Sequence, residues 1–201
     1  DVDMYLFSLY KVFGPHQGIL YVRSDLHESL TPQCHFFNVG DARKHFNPAG
    51  PQHAQVAACA GVLDYFDALY RHHDGPDGAS AVNKMQYLHA LISAHEASLT
   101  EPLLDYLHGS AKVRLLGKTT VRDADRAATI AFAPLMQSSQ EVATGLQRLG
   151  IGTESGHFYA YRALSNVGIE PDEGVVRISL VHYNTQTDVD RILTALDTVL
   201  A

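Results

Sequence analysis

The sequence predicts an α/β chain that ends in a smaller α+β domain. Short apolar runs bounded by Gly, Pro and polar residues are typical of strands, and apolar residues at helical spacing between them predict long helices. From residue 113 onward, short strands alternate with amphipathic helices. We therefore expect two domains, residues 1–110 and 111–201. Hydrophobic residues make up 46% and charged residues 18%, which excludes general disorder.

The first elements are two short strands and a long helix. Residues 4–7 are predicted to form a buried strand and residues 18–22 a second one, on either side of a loop that contains Gly14-Pro15. Because the chain opens on Asp1 and enters a strand at once, we expect that a preceding segment is missing. A polar, Pro-containing stretch leads to a helix over 53–73, which Gly and Pro at 74–78 end.

A second helical stretch covers residues 80–107. Thr100 is a candidate N-cap and Pro102 favours a first helical turn, so two helical segments are expected there. The strands predicted beyond this stretch lie at 113–116, at 128–132, near Ile151 and at 175–181.

Two helices near the C-terminus carry capping-box spacing. Ser138 and Glu141 begin one helix, which Gly150 can end, and Thr185 and Asp188 begin the last. The last helix is predicted to cover the preceding sheet, because its apolar residues form one stripe. That stripe comprises Val189, Ile192, Leu193, Leu196, Val199 and Leu200.

Composition excludes several classes of function. A formal charge of -7 without a local basic face disfavours nucleic acid as a partner. Cys34 and Cys59 lack zinc-site spacing, and the twelve histidines lack a helical ligand pattern, so no metal is predicted. No apolar run is long enough to span a membrane, and few cysteines favour a reducing compartment. A cytoplasmic protein without a membrane partner is therefore expected.

Two basic residues follow or interrupt apolar strands. Lys11 comes directly after one strand, in a loop with glycine, where partial desolvation would lower the pKa of its amine and suit Schiff-base chemistry. The alternative is a surface lysine after an edge strand. Arg177 lies within another strand, so it must be paired or face a cleft, and a structural salt bridge is equally consistent with its position.

The stretch around Lys11 resembles the cofactor-lysine segment of class V pyridoxal 5'-phosphate (PLP) aminotransferases and cysteine desulfurases. The residues that match in register are Asp3, Ser8, Lys11, Gly14, Pro15 and Gly18. A desulfurase-like subfamily that reads Ser-x-Tyr-Lys-x-Phe-Gly-Pro-His also matches through Tyr10, Phe13 and His16.

This resemblance implies roles for four residues around the cofactor. Lys11 would form the internal aldimine with PLP, and Ser8 would donate a hydrogen bond to its phosphate. Tyr10 stands where the desulfurases carry a phosphate-binding histidine, so its hydroxyl is the expected substitute. In a second match, over residues 46–53, Gly50 replaces a phosphate-binding threonine, which would leave backbone N–H groups as the contact. An ordinary Pro-Gly turn is the alternative reading of that match.

Two later segments resemble the substrate side of the family's site. Arg177 matches the arginine that binds the substrate carboxylate in a two-point fork. Residues 150–160 align with the segment in which many desulfurases carry a persulfide-forming cysteine. Tyr159 stands at that position, so a persulfide cannot form there. Ser155, His157 and Tyr159 would line the substrate side, or they are polar loop residues.

The resemblance corresponds to the later half of a family subunit. It implies the end of the PLP-transferase large domain, a sheet with packed helices, followed by the small C-terminal domain. It further implies a homodimeric aminotransferase or lyase that acts on a small-molecule amino acid. This chain alone is expected to be inactive, because it lacks the rest of the cofactor site. The alternatives are an inactive PLP-fold binding or assembly module, a cysteine or selenocysteine lyase without a persulfide cysteine, and an α+β interaction domain with accidental matches.

Overall fold

The structure is a computed structural model that describes residues 2–47, 49–121 and 126–201. It divides into two compact units, Asp1–Leu88 and His89–Ala201. The division falls inside a long helix. The domain boundary between residues 110 and 111 remains a prediction.

The first unit opens with a β-hairpin. Strand β1 (Met4–Ser8) pairs antiparallel with β2 (Gly18–Val22), and a 3₁₀ turn over Leu9–Val12 follows β1. Both predicted strands are confirmed, but the predicted burial of β1 is wrong, since Leu6 is 71% exposed. Among the described residues the two strands pair only with each other, so few neighbours cover their side chains.

Short helices complete the first unit. They are α1 (Ser24–Ser29), α2 (His53–Ala58) and α3 (Ala60–His72), with 3₁₀ turns over Phe36–Asn38 and Ala42–Lys44. The single helix predicted over residues 53–73 is divided at Cys59. The predicted break after it is confirmed, because Asp74 adopts a left-handed φ of 53° and the chain turns there.

Helix α4 (Ala81–Gly109) is continuous, so the predicted restart at Thr100 is wrong. The buried Thr100 hydroxyl donates to the Glu96 carbonyl oxygen at 2.7 Å, which is a bond within a helix interior. Pro102 lacks the N–H for one helical bond, yet the helix passes through it. Burial of Leu99 and Leu103 on either side offsets that loss.

The second unit is built on a four-stranded antiparallel sheet. Its strands are β3 (Val113–Leu116), β4 (Thr129–Pro134), β5 (Glu154–Gly156) and β6 (Val175–Ser179), in the spatial order β3-β4-β6-β5. The strand predicted near Ile151 begins three residues later than that residue, at Glu154. The other three predicted strands are confirmed: β3 has the predicted bounds, and β4 and β6 differ from them by one or two residues at their ends.

Helices α5 (Ser139–Arg148), α6 (Tyr161–Asn166) and α7 (Gln186–Val199) complete this unit. One face of the sheet packs on α4, α5 and α7, as the apolar stripe of α7 predicts. Both predicted capping boxes form, and Gly150 ends α5 at a φ of 78°. Side chains alternate between the faces of a strand, so the exposed Arg177 points away from buried Val176 and Ile178.

Candidate functional site

Lys11 lies on the exposed 3₁₀ turn that follows β1. Its Nζ is 5.9 Å from the centre of the Tyr10 ring, and that ring stacks on His16 at 4.6 Å with an interplanar angle of 19°. The turn therefore brings Lys11, Tyr10 and His16 together. Lys11 itself is exposed, so the described residues do not supply the desolvation that its position after a strand predicted.

The backbone of this loop is closely held. The Leu9 amide donates to the Gln17 carbonyl oxygen at 2.8 Å, and the Gly14 amide donates to the Leu9 carbonyl oxygen at 2.8 Å. Phe13 adopts a left-handed φ of 66°. A Cβ on Gly14 would lie 2.8 Å from the Val62 side chain, so the glycine at this position is required sterically. Lys11 thus stands on a loop with a defined shape.

The two other residues predicted to contact a phosphate lie on either side of this loop in the sequence. Ser8 is half-buried at the end of β1, and its hydroxyl does not cap the 3₁₀ turn that follows. Gly50 is exposed, three residues before α2 begins at His53. Pro48 of the same sequence match lies outside the described residues.

Arg177 stands on the central strand β6 of the second unit, on the exposed face of its sheet. It lies opposite Ala131 of β4 and Glu154 of β5. A groove of about 260 Å³ runs beside it, and Gln147, Gly152, Thr153, Glu154 and Ser179 complete its lining. Across the described ranges of the chain, the guanidinium forms no ion pair, so the salt bridge considered as its alternative role is not found there.

The loop after β5 contacts this guanidinium through a residue that the sequence did not single out. The Cζ atom of Arg177 lies 4.1 Å from the centre of the Phe158 ring. The neighbouring His157 is half-buried and accepts a hydrogen bond at Nδ1 from the Tyr159 amide at 3.2 Å. The Tyr159 side chain is fully exposed. No spacing signal marks Phe158, because its contact depends on the backbone conformation of the loop.

The part of the chain that the structure describes offers few other candidate sites. There, no three His, Cys, Asp or Glu side chains converge as a metal ion would need, and both cysteines are free thiols. Within the same residues, no helix has the length and apolar character to cross a membrane. Lys11 belongs to the first unit and Arg177 to the second.

Comparison with known proteins gives the family. The family model described as Aminotransferase class-V matches residues 78–192, which is more than half of the chain. The chain belongs to the class-V aminotransferase family. The matched region includes the sheet that carries Arg177, whereas Lys11 lies before it.

Individual relatives extend the match to nearly the whole chain. An aminotransferase-like protein from Gibberella zeae is 33% identical over 200 residues, which are 98% of this chain and 46% of that protein. A probable cysteine desulfurase from Pseudomonas putida is 30% identical over 207 residues, covering 97% of this chain and 45% of that protein. The chain therefore spans about half the length of these relatives.

A solved structure of a cysteine desulfurase from Thermococcus onnurineus superposes with a TM-score of 0.77 and 19% identity. The superposition covers 98% of this chain and 47% of that one. At this identity the likeness concerns the fold, and it confirms the predicted α/β class.

Proposed function

We propose that the protein to which this chain belongs is a PLP-dependent enzyme that acts on a small amino acid, as an aminotransferase or lyase. Membership of the class-V aminotransferase family supports this proposal. The observation that carries it is the position of Lys11, a primary amine on a sterically fixed loop directly after a strand.

The side chains of this loop fit the chemistry of PLP, which offers an aldehyde and a phosphate. The Lys11 amine is accessible, as condensation with an aldehyde requires. The Ser8 hydroxyl and the Tyr10 phenol lie within three residues of it and are donors suited to phosphate oxygens. Backbone N–H groups near Gly50 would add to that set. When bound, PLP withdraws electrons from the bonds of the substrate α-carbon.

Residues of this chain would bind the substrate and transfer its proton. Arg177 would bind the substrate carboxylate through two N–H groups, because its guanidinium borders an open groove and lacks an ion pair among the described residues. His157 and Tyr159 lie on the adjacent loop and would border the substrate. The Lys11 amine would also accept and return the α-proton of the substrate.

We also propose a homodimer in the cytoplasm. In the family that the sequence resembles, such sites lie at a subunit interface, so the rest of the cofactor site would come from the remainder of the subunit and from its partner. Light scattering on the intact protein tests this, since a monomeric mass at working concentrations would contradict the dimer.

One observation favours a second function. Tyr159 stands where desulfurases carry a cysteine, and a phenol cannot take up sulfur from a substrate. A lyase that releases its product without a persulfide is consistent with that residue. An inactive PLP-fold module is favoured only if the cofactor fails to bind.

The test uses the intact protein incubated with PLP. A visible absorption band from the bound cofactor should appear, and Lys11→Arg should abolish it while keeping the positive charge. Lys44→Arg, on a different turn of the same unit, is the matched control and should keep the band. Absence of the band in the unmodified protein would contradict catalysis. Screening amino acids for keto acid, for pyruvate with ammonia and for loss of optical activity then distinguishes the reactions.

A further inference from the structure

We propose that Phe158 is a positioning residue that holds the Arg177 guanidinium over its ring and so presents the guanidinium N–H groups to a carboxylate. This inference rests on the proposed function, since it assigns a support to the proposed carboxylate ligand. It adds a residue that neither the family match nor the sequence pattern identified.

The contact itself has the geometry of a cation over an aromatic face. The Cζ atom of Arg177 lies 4.1 Å from the centre of the Phe158 ring, well inside the range of about 6 Å in which such pairs attract. The five N–H donors of a guanidinium lie in its plane, so a ring against one face leaves them free to bond. A carboxylate can therefore approach the edge without displacing the ring.

The loop that carries Phe158 has an uncommon backbone. Phe158 and Tyr159 adopt left-handed φ values of 48° and 62°, which are unfavourable for residues with a Cβ. Two hydrogen bonds hold this turn, from the Tyr159 amide to His157 Nδ1 at 3.2 Å and from the Ala160 amide to the His157 carbonyl oxygen at 2.7 Å. Such strain persists where surrounding contacts impose it, and it is concentrated at functional sites.

A second constraint fixes the base of the loop. Gly174, just before β6, packs against the backbone of Gly156, and a Cβ at Gly174 would lie 2.5 Å from the Gly156 Cα. The loop is therefore anchored to the strand that carries Arg177. Stacking on this anchored loop reduces the rotamer freedom that Arg177 would otherwise lose on binding.

Burial and charge separate this role from simple packing. Phe158 is half-buried and lies outside the apolar core of the second unit. Its ring partner is a cation that has no ion pair among the described residues. A ring placed only to fill space would contact the core instead.

The first test is independent of the cofactor. In the full chain, ring currents from Phe158 should shift the δ-methylene and Nε–H proton signals of Arg177 upfield, with Arg177→Lys giving the assignment. Phe158→Leu should remove the shift and Phe158→Tyr should keep it. Tyr161→Leu, which removes a ring that lies 5.7 Å from the His157 ring, should leave the shift unchanged. Unshifted Arg177 signals in the unmodified chain, assigned with Arg177→Lys, would overturn the proposal even if no Phe158 variant folds.

The second test uses the intact, PLP-loaded protein and the amino acid that it converts fastest. Phe158→Leu should raise KM about 5-fold with little change in kcat, the size expected for a partly exposed cation–aromatic pair. Phe158→Tyr should restore KM, because a ring alone is needed. An unchanged KM in Phe158→Leu, or a loss in Phe158→Tyr equal to that in Phe158→Leu, would overturn the positioning role. Failure of the proposed function would show separately, as a missing cofactor band.

Discussion

Replacement of Gly174 by alanine should destabilise the second unit through two effects. The residue has a φ of 63°, and in the left-handed region a Cβ costs roughly 1–2 kcal/mol. The new Cβ would also lie 2.5 Å from the Gly156 Cα, and overpacking of this kind costs typically about 1–3 kcal/mol. We therefore expect a loss of about 2–5 kcal/mol in the free energy of opening of β6.

Gly168→Ala is the matched control. Gly168 also has a left-handed φ, of 73°, but nothing lies within 4 Å of its hypothetical Cβ. Gly168→Ala should lose only the part of the opening free energy that comes from the left-handed φ, roughly 1–2 kcal/mol. Hydrogen exchange at the amides of Val176 and Ile178 measures both variants in the same unit. Equal losses in the two variants would refute the close approach of Gly174 to Gly156.

Two further predictions concern the α7 cap and Tyr106. Thr185→Ala should destabilise the second unit by about 1 kcal/mol in urea unfolding. Hydrogen bonds from the Thr185 amide and hydroxyl lower the pKa of Asp188, so its contribution is present above the unfolded pKa and lost as pH falls through the folded one. If the stability of Thr185→Ala fell with pH as that of the parent protein does, this reasoning would be contradicted. Burial, with a hydrogen bond to Asp197, raises the pKa of Tyr106 to about 12. Its contribution should be lost as pH rises from the unfolded pKa of about 10 through that value, and Tyr106→Phe should remove one phenol that titrates near pH 12 at 295 nm.

Local signals in the sequence predicted much of the fold. Both capping boxes form, because Ser138 with Glu141 and Thr185 with Asp188 need only three residues of helix to satisfy each other. The strand at Val113–Leu116 has the predicted bounds. These features depend on neighbours in the chain, so a single sequence is enough to identify them.

Features that depend on distant contacts were not predicted correctly. Pro102 does not break α4, because burial of the flanking leucines offsets the lost hydrogen bond. The apolar run of β1 predicted a buried strand, but its side chains are exposed in the described chain. Sequence periodicity does not identify Phe158, because its contact with Arg177 arises from two successive residues in the left-handed conformation.

The proposal that Lys11 carries the cofactor is tested most directly by mapping a covalent label. Borohydride treatment of the intact protein with bound PLP should fix the cofactor on one lysine, and mass spectrometry of peptides should place the added mass on Lys11. The peptide that contains Lys84 is the internal comparison, because that amine already pairs with Asp67 at 2.7 Å. A label on another lysine, or no label at all, would contradict the account.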